Sequence, residues 1–266
     1  MSDPRGHALV TGASSGIGEA IAREYARRGV PLILTARRRE RLEALAAELR
    51  AQVPVHVLVA DLARPDAPAR LVGAIDALGL QVRILVNNAG YGVPGRYLRN
   101  DWEAHAAFLQ VMVGAVCELT WRLLPAVRAS GAGRILNVAS FAALVPSADG
   151  QTLYAPAKAF MVKFSESLAL ENADAQVRVA ALCPGFTWSE FHDVTGTREM
   201  MSRLPRRLWL EAADVARAGI DGVERGRVVV VPGAIYRALR LATRLLPERF
   251  LLRRMAKNSA RIRRTQ

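Results

Sequence analysis

The segment Thr11-Gly12-Ala13-Ser14-Ser15-Gly16-Ile17-Gly18 lies between a short apolar run at residues 7–11 and a stretch of helical periodicity at residues 19–28. A strand that turns through closely spaced glycines directly into a helix can present the unpaired amides of that helix to an anionic group. Glycine permits both the tight turn and the close backbone approach. The same alternation then recurs, with strands expected at residues 32–35, 55–59, 84–86, 134–138, 177–182 and 228–231. Helical spacing fills the gaps at residues 40–50, 67–78, 101 to about 128, 152–171 and 212–224. Each helix supplies the crossover that a parallel pair of strands requires. The expected fold is therefore α/β: a doubly wound, seven-stranded, mostly parallel sheet with helices on both faces.

A chain of 266 residues, 51% of them hydrophobic, can fill one such sheet, and no internal repeat or low-complexity linker divides it. One domain is expected over residues 1–235, followed by a basic, partly amphipathic extension over 236–266. No apolar run approaches the length of a bilayer span, so no transmembrane helix is expected. The first six residues lead straight into the first strand, which leaves no room for a signal peptide, and the cytoplasm is the expected location. Cys117 and Cys183 lie in apolar segments without metal-ligand spacing, and are read as reduced core thiols. No metal site is expected.

The net charge of +13 is unevenly placed, since residues 236–266 hold ten Lys or Arg against Glu248 alone and so account for +9 of it. Nucleic acid is a poor fit, because this basic stretch lacks interleaved aromatic residues. Its leucines, broken by Pro247 into two helical pieces, suit packing on the domain. An anchor on anionic lipid is the alternative. Because every motif residue precedes Pro232, the extension is expected to be an accessory.

At the end of the second strand the chain delivers Arg37, Arg38 and Arg39, with no carboxylate before Glu40. An acid at this point would accept ribose hydroxyls, whereas a basic residue suits the additional phosphate of NADP(H), with Arg37 as the expected fork. The bland alternatives are a mere tight turn at the glycines and a solvated helix start at the arginines.

Four further motifs follow in order, and with the glycine loop they resemble the short-chain dehydrogenase/reductase family over about residues 6–232. They are Asp61; Asn87-Asn88-Ala89-Gly90; Ser140 with Tyr154-Ala155-Pro156-Ala157-Lys158; and Pro184-Gly185-Phe186-Thr187-Trp188-Ser189. The resemblance implies a Rossmann-type fold and a homo-oligomer, dimer or tetramer. It also implies a cofactor site made of Gly12, Ser14, Ser15, Gly16, Ile17, Gly18, Arg37, Asp61, Asn88, Ala89, Gly90, Tyr154, Lys158, Pro184, Gly185, Thr187 and Ser189. Ser140, Tyr154 and Lys158 are its implied catalytic set.

Tyr154 and Lys158, four apart on a helix, share a face, so the ammonium, together with the positive charge of an oxidised nicotinamide, is expected to pull the phenol pKa toward neutrality. Ser140 is expected to hydrogen-bond a substrate carbonyl as charge develops on it. The expected activity is NADPH-dependent interconversion of a small apolar ketone, aldehyde or 3-oxoacyl compound with its alcohol. Residues 186–210, with Phe186, Trp188, Phe191, Met200, Met201, Leu204, Leu208 and Trp209, suit a mobile lid or, equally, core; His192 reads as a polar lid residue.

Two departures from the family pattern stand out. Met112 falls where most members carry a catalytic asparagine, and a thioether cannot make an amide's hydrogen bonds. Either a carbonyl near Val111 or Met112, freed by an opened helix turn, serves instead, or the chain binds cofactor without catalysis and acts as an interaction protein. Ser140 and Tyr154 are also one residue further apart than is common, read as a loop insertion at residues 147–150.

Overall fold

The strands are apolar on both faces, which commits them to the interior of a sheet covered on each side. The computed structural model describes residues 6–93, 95–147, 149–150, 152–190, 205–247, 249 and 251. Its strands are β1 (His7–Thr11), β2 (Leu32–Thr35), β3 (Val55–Val57), β4 (Val82–Asn87), β5 (Arg134–Val138), β6 (Arg178–Leu182) and β7 (Val229–Val230). They form one sheet in the order β3-β2-β1-β4-β5-β6-β7, and every ladder is parallel. The connection reverses direction between β1 and β4, which opens a crevice at the C-terminal ends of these strands.

Period-two alternation divides the core. Ala8, Val10, Leu34, Val86, Leu136 and Leu182 face one side, where they meet α1 (Gly16–Arg27), α2 (Arg39–Leu49) and α7 (Ala212–Glu224). Leu9, Ile33, Leu85, Ile135 and Val179 face the other, against α3 (Ala67–Ala77), α5 (Ala115–Ala129) and α6 (Tyr154–Glu171). Each large side chain buried this way contributes about 1.5–3 kcal/mol before the entropy of ordering is subtracted.

The expected elements are present with small shifts. α1 begins at Gly16, three residues before the periodic stretch, because the glycines themselves enter the first turn. The long helix comprises α4 (Trp102–Leu109) and α5, joined by a wider π turn at Gln110–Gly114, and starts on Asp101, whose carboxylate accepts from the Ala104 amide at 2.8 Å. By length and composition Trp102–Ala129 could cross a bilayer, yet Val111, Ala115, Leu119, Leu123 and Val127 are buried against the sheet. Cys183 is buried, whereas Cys117 is only half-buried on α5 and so is not a core thiol.

After β7 comes α8 (Ala234–Leu245), the first of the two helical pieces expected in the tail. The boundary expected between residues 235 and 236 falls inside this helix. Its Tyr236 is buried on the domain, while Leu239, Leu241 and Leu245 are exposed. The second piece, beyond Pro247, falls almost entirely outside the described residues.

Candidate active site

The glycine loop is held from below by β4 and by the residues that follow it. Thr11 Oγ1 donates to the Val86 carbonyl at 3.1 Å and accepts from the amides of Asn88 at 2.9 Å and Ala89 at 3.0 Å. Asn88 Nδ2 returns to the carbonyls of Thr11 at 2.8 Å and Gly12 at 3.2 Å. Beneath it, Asn87 donates to Asn137 at 2.8 Å, which ties β4 to β5. The close approach excludes side chains: a Cβ on Gly18 would stand 2.3 Å from the Gly12 carbonyl oxygen and from Asn88 Nδ2. Gly12 and Gly16 have φ of +65° and +59°, which L side chains rarely adopt. This cradle and the free amides of the first turn of α1 (Gly16, Ile17, Gly18) fit a dinucleotide pyrophosphate.

Three segments converge on that loop. Arg38 donates to Ser15 Oγ at 2.9 Å and to Ser14 Oγ at 3.1 Å, and pairs with Glu190 at 2.9 Å. Glu190 also engages Arg41, and these two cations hold its carboxyl below the usual range. Arg37, the expected fork, is exposed and close enough to Tyr91 for its charge to act on the phenol, as does that of Asp61. The structure thus brings Arg38, not Arg37, onto the glycine loop. The sequence names both; only the side-chain directions separate them. Asp61 accepts from the Ala63 amide at 3.1 Å, shaping the turn after β3. Ser189 packs on Gly16, 2.9 Å from where a Cβ would be.

The catalytic set comes together at the C-terminal end of β5. Ser140 caps a short 3-10 turn, Phe141–Leu144, accepting from the Ala142 amide at 3.1 Å. It is hydrogen-bonded to Tyr154. Lys158 is buried, and its Nζ donates to the Val138 carbonyl at 2.7 Å while lying 5.9 Å from the centre of the Tyr154 ring.

The expected fall of the tyrosine pKa is not what this geometry produces. Burial raises it, and the hydrogen bond from Ser140 opposes that rise only in part. The reason is that the ammonium is directed at Val138 and not at the phenol oxygen. The same burial depresses Lys158 from 10.5 to about 8.

Met112 sits in the π turn, fully buried among Phe108 and Ala157, with its sulfur 2.8 Å from the place of a Cβ on Gly90. That position is also 3.7 Å from Lys158 Nζ, so Met112 and Lys158 both approach Gly90. The opened turn anticipated from the sequence is present: the Ala115 amide bonds the Gln110 carbonyl five residues back. Within the segment read as an insertion, Asp149 and Gly150 are in a turn and Asp149 pairs with Arg96 at 3.6 Å.

Of the expected lid, Phe191, His192, Met200, Met201 and Leu204 lie outside the described residues. The rest forms a wall. Thr187 bridges to Leu210 in parallel, with Trp188 N to Leu210 O at 2.9 Å and Leu210 N to Phe186 O at 2.8 Å. Trp188 stacks on Trp209 at 4.1 Å between ring centres. Pro184 and Gly185 start this wall directly after β6, and the Pro184 carbonyl accepts from the Phe141 amide at 2.8 Å.

Comparison with known proteins agrees with this construction. The short chain dehydrogenase family profile matches residues 6–199. A sulfoacetaldehyde reductase of Chromohalobacter salexigens is 37% identical over 188 residues, covering 69% of this chain and 73% of its own. A short-chain dehydrogenase from Sphingobium yanoikuyae, solved in complex with NADPH, superposes with a TM-score of 0.79 at 33% identity, covering 89% of this chain and 93% of its own. One from Burkholderia phymatum, in complex with NAD, gives 0.79 at 25% identity over 90% and 93%. The chain belongs to the short-chain dehydrogenase/reductase family of oxidoreductases.

Proposed function

We propose that the protein is an NADPH-dependent reductase of a ketone, aldehyde or 3-oxoacyl compound. The observation that carries this reading is the convergence of Ser140, Tyr154 and Lys158, with Tyr154 hydrogen-bonded to Ser140, and with Lys158 close to Gly90 of the segment that braces the glycine loop. When bound, NADPH would supply the hydride. Ser140 Oγ and Tyr154 Oη are the donors available to a substrate oxygen, and Tyr154 gives up its proton as negative charge grows there. The phenol is protonated at neutral pH and so is able to donate, and the hydrogen bond from Ser140 partly offsets the rise that burial imposes on its pKa. Lys158, held by Val138, keeps a positive charge under the ring. Trp188, Phe186 and Trp209 offer an apolar wall to the substrate.

The test is a panel of ketones, aldehydes and 3-oxoacyl thioesters, followed by loss of NADPH absorbance. Turnover on any class supports the reading. None across the panel, with cofactor still bound, favours the second reading, a binding protein without catalysis, which rests on Met112 standing, buried in the π turn, where most family members carry an asparagine.

Cofactor choice is read from Arg38 and Arg37, because the solved relatives include complexes with both NADPH and NAD. NADPH is expected to bind more tightly than NADH in a fluorescence titration. Loss of one charge-assisted contact costs about 1.5–3 kcal/mol, so Arg38→Ala should erode the preference roughly 10- to 100-fold. Arg37→Asp should erode or reverse it. Equal affinities in the unmutated protein would show that neither guanidinium reads a phosphate.

A further inference from the structure

All the family motifs end before Pro232, yet the first turn of α8 reaches into the wall that carries the last of them. Tyr236 is buried, and its hydroxyl accepts from the Phe186 amide at 2.9 Å while donating to the Leu208 carbonyl at 2.6 Å. One atom thus joins the loop leaving β6 to the segment that returns toward α7. The ring lies flush on Gly185: a Cβ there would stand 1.9 Å from Tyr236 Cζ, so no other residue fits at 185 without moving the ring. Its edge meets Phe141 at 5.1 Å between centres, and Phe141 directly follows Ser140.

We propose that Tyr236 is a positioning residue of the active site, fixing the Gly185–Phe186 loop and the 205–210 segment at a set distance from Ser140. This rests on the reductase reading above, in which that loop borders the cofactor and the aromatic wall borders the substrate. The tail's first turn is then part of the working site, not an accessory to it. Glycine at 185 and tyrosine at 236 form one contact, the first residue small because the second is large.

Tyr236→Phe separates positioning from packing, since the ring stays and only the two hydrogen bonds go. A net hydrogen bond is worth about 1 kcal/mol, so KM for the carbonyl substrate and Kd for NADPH should each rise roughly 3- to 10-fold. Ile75→Val, a core change on α3, is the control: it should lower Tm while leaving KM and Kd unmoved. Gly185→Ala should mimic Tyr236→Phe by displacing the ring. Combined with Tyr236→Ala, which vacates that space, it should add less than its separate effect, as expected of two residues in one contact.

Unchanged KM and Kd in Tyr236→Phe would overturn the proposal, even if Tm fell, because only a structural role would remain. Additive effects of Gly185→Ala and Tyr236→Ala would overturn it too. A wild-type protein that neither binds nor turns over NADPH would remove the reductase reading and this proposal with it.

Discussion

Tyr154→Phe is expected to lower kcat for carbonyl reduction by about 10²- to 10⁴-fold, the usual contribution of a positioned proton donor. The ring is retained, so its contact with Lys158 survives, and so does the packing with Met112 and Phe108 around it. NADPH affinity should therefore change by less than about threefold, since no charge is removed and no hydrogen bond to the glycine loop is broken. Ser140 loses its partner in the resting protein but remains anchored through the Ala142 amide. The measurement is the rate of NADPH oxidation at saturating substrate, with cofactor affinity titrated separately. Residual turnover within tenfold of wild type would mean that another group delivers the proton.

Most of the sheet is legible in the sequence because parallel strands buried on both faces are written as unbroken apolar runs. β1, β2, β5 and β6 agree within one residue at each end. β3 ends as a regular strand at Val57, although the expected run continues to Val59; the Leu58 amide still bonds the Leu34 carbonyl at 3.0 Å and the Ala60 amide the Ala36 carbonyl at 3.2 Å, so the chain goes on beside β2 without regular strand geometry. β7 shrinks to two residues at the sheet edge, where pairing comes from one side only.

The expected catalytic trio is legible because Tyr154 and Lys158 form one short linear motif and Ser140 closely follows a strand. What escaped depends on side-chain direction or on distant pairing. Arg37 and Arg38 are adjacent, and only the path of the backbone out of β2 decides that Arg38 turns onto Ser14 and Ser15. Glu190 reaches Arg38 and Arg41 from about 150 residues away, and Tyr236 reaches Phe186 from 50. No local spacing announces such pairs. A signal did exist for the second: glycine at 185 marks a backbone approached closely by something, and the structure identifies it as an aromatic ring.

The lysine's expected pull on the tyrosine pKa is missing for a related reason. Four-residue spacing on a helix places two side chains on one face but does not say where the longer one points. Lys158 is long enough to pass the phenol and satisfy the Val138 carbonyl, and burial then dominates both groups.

Lys158→Met should make the protein more stable and nearly inactive at neutral pH. Burial lowers the folded-state pKa of Lys158 from 10.5 to about 8, so holding the ammonium inside costs stability. At roughly 1.4 kcal/mol per pK unit the cost is about 3 kcal/mol. Because the folded pKa is depressed, the cost is complete below pH 8, where the lysine is charged in both states. It is relieved as pH rises from about 8 to 10.5 and vanishes above that, where it is neutral in both. Methionine carries no such cost, so its advantage in denaturant unfolding should be largest at neutral pH and shrink toward pH 10. Wild-type kcat should fall as pH rises through about 8, when the ammonium is lost. The variant should lack that limb and turn over about 10²- to 10³-fold more slowly at pH 7, as expected when a fixed charge is taken from a water-poor site. A variant that is less stable than wild type at every pH, or that keeps the same pH limb, would show that Lys158 is not the group that titrates and that its charge is not what the site stores at the expense of stability.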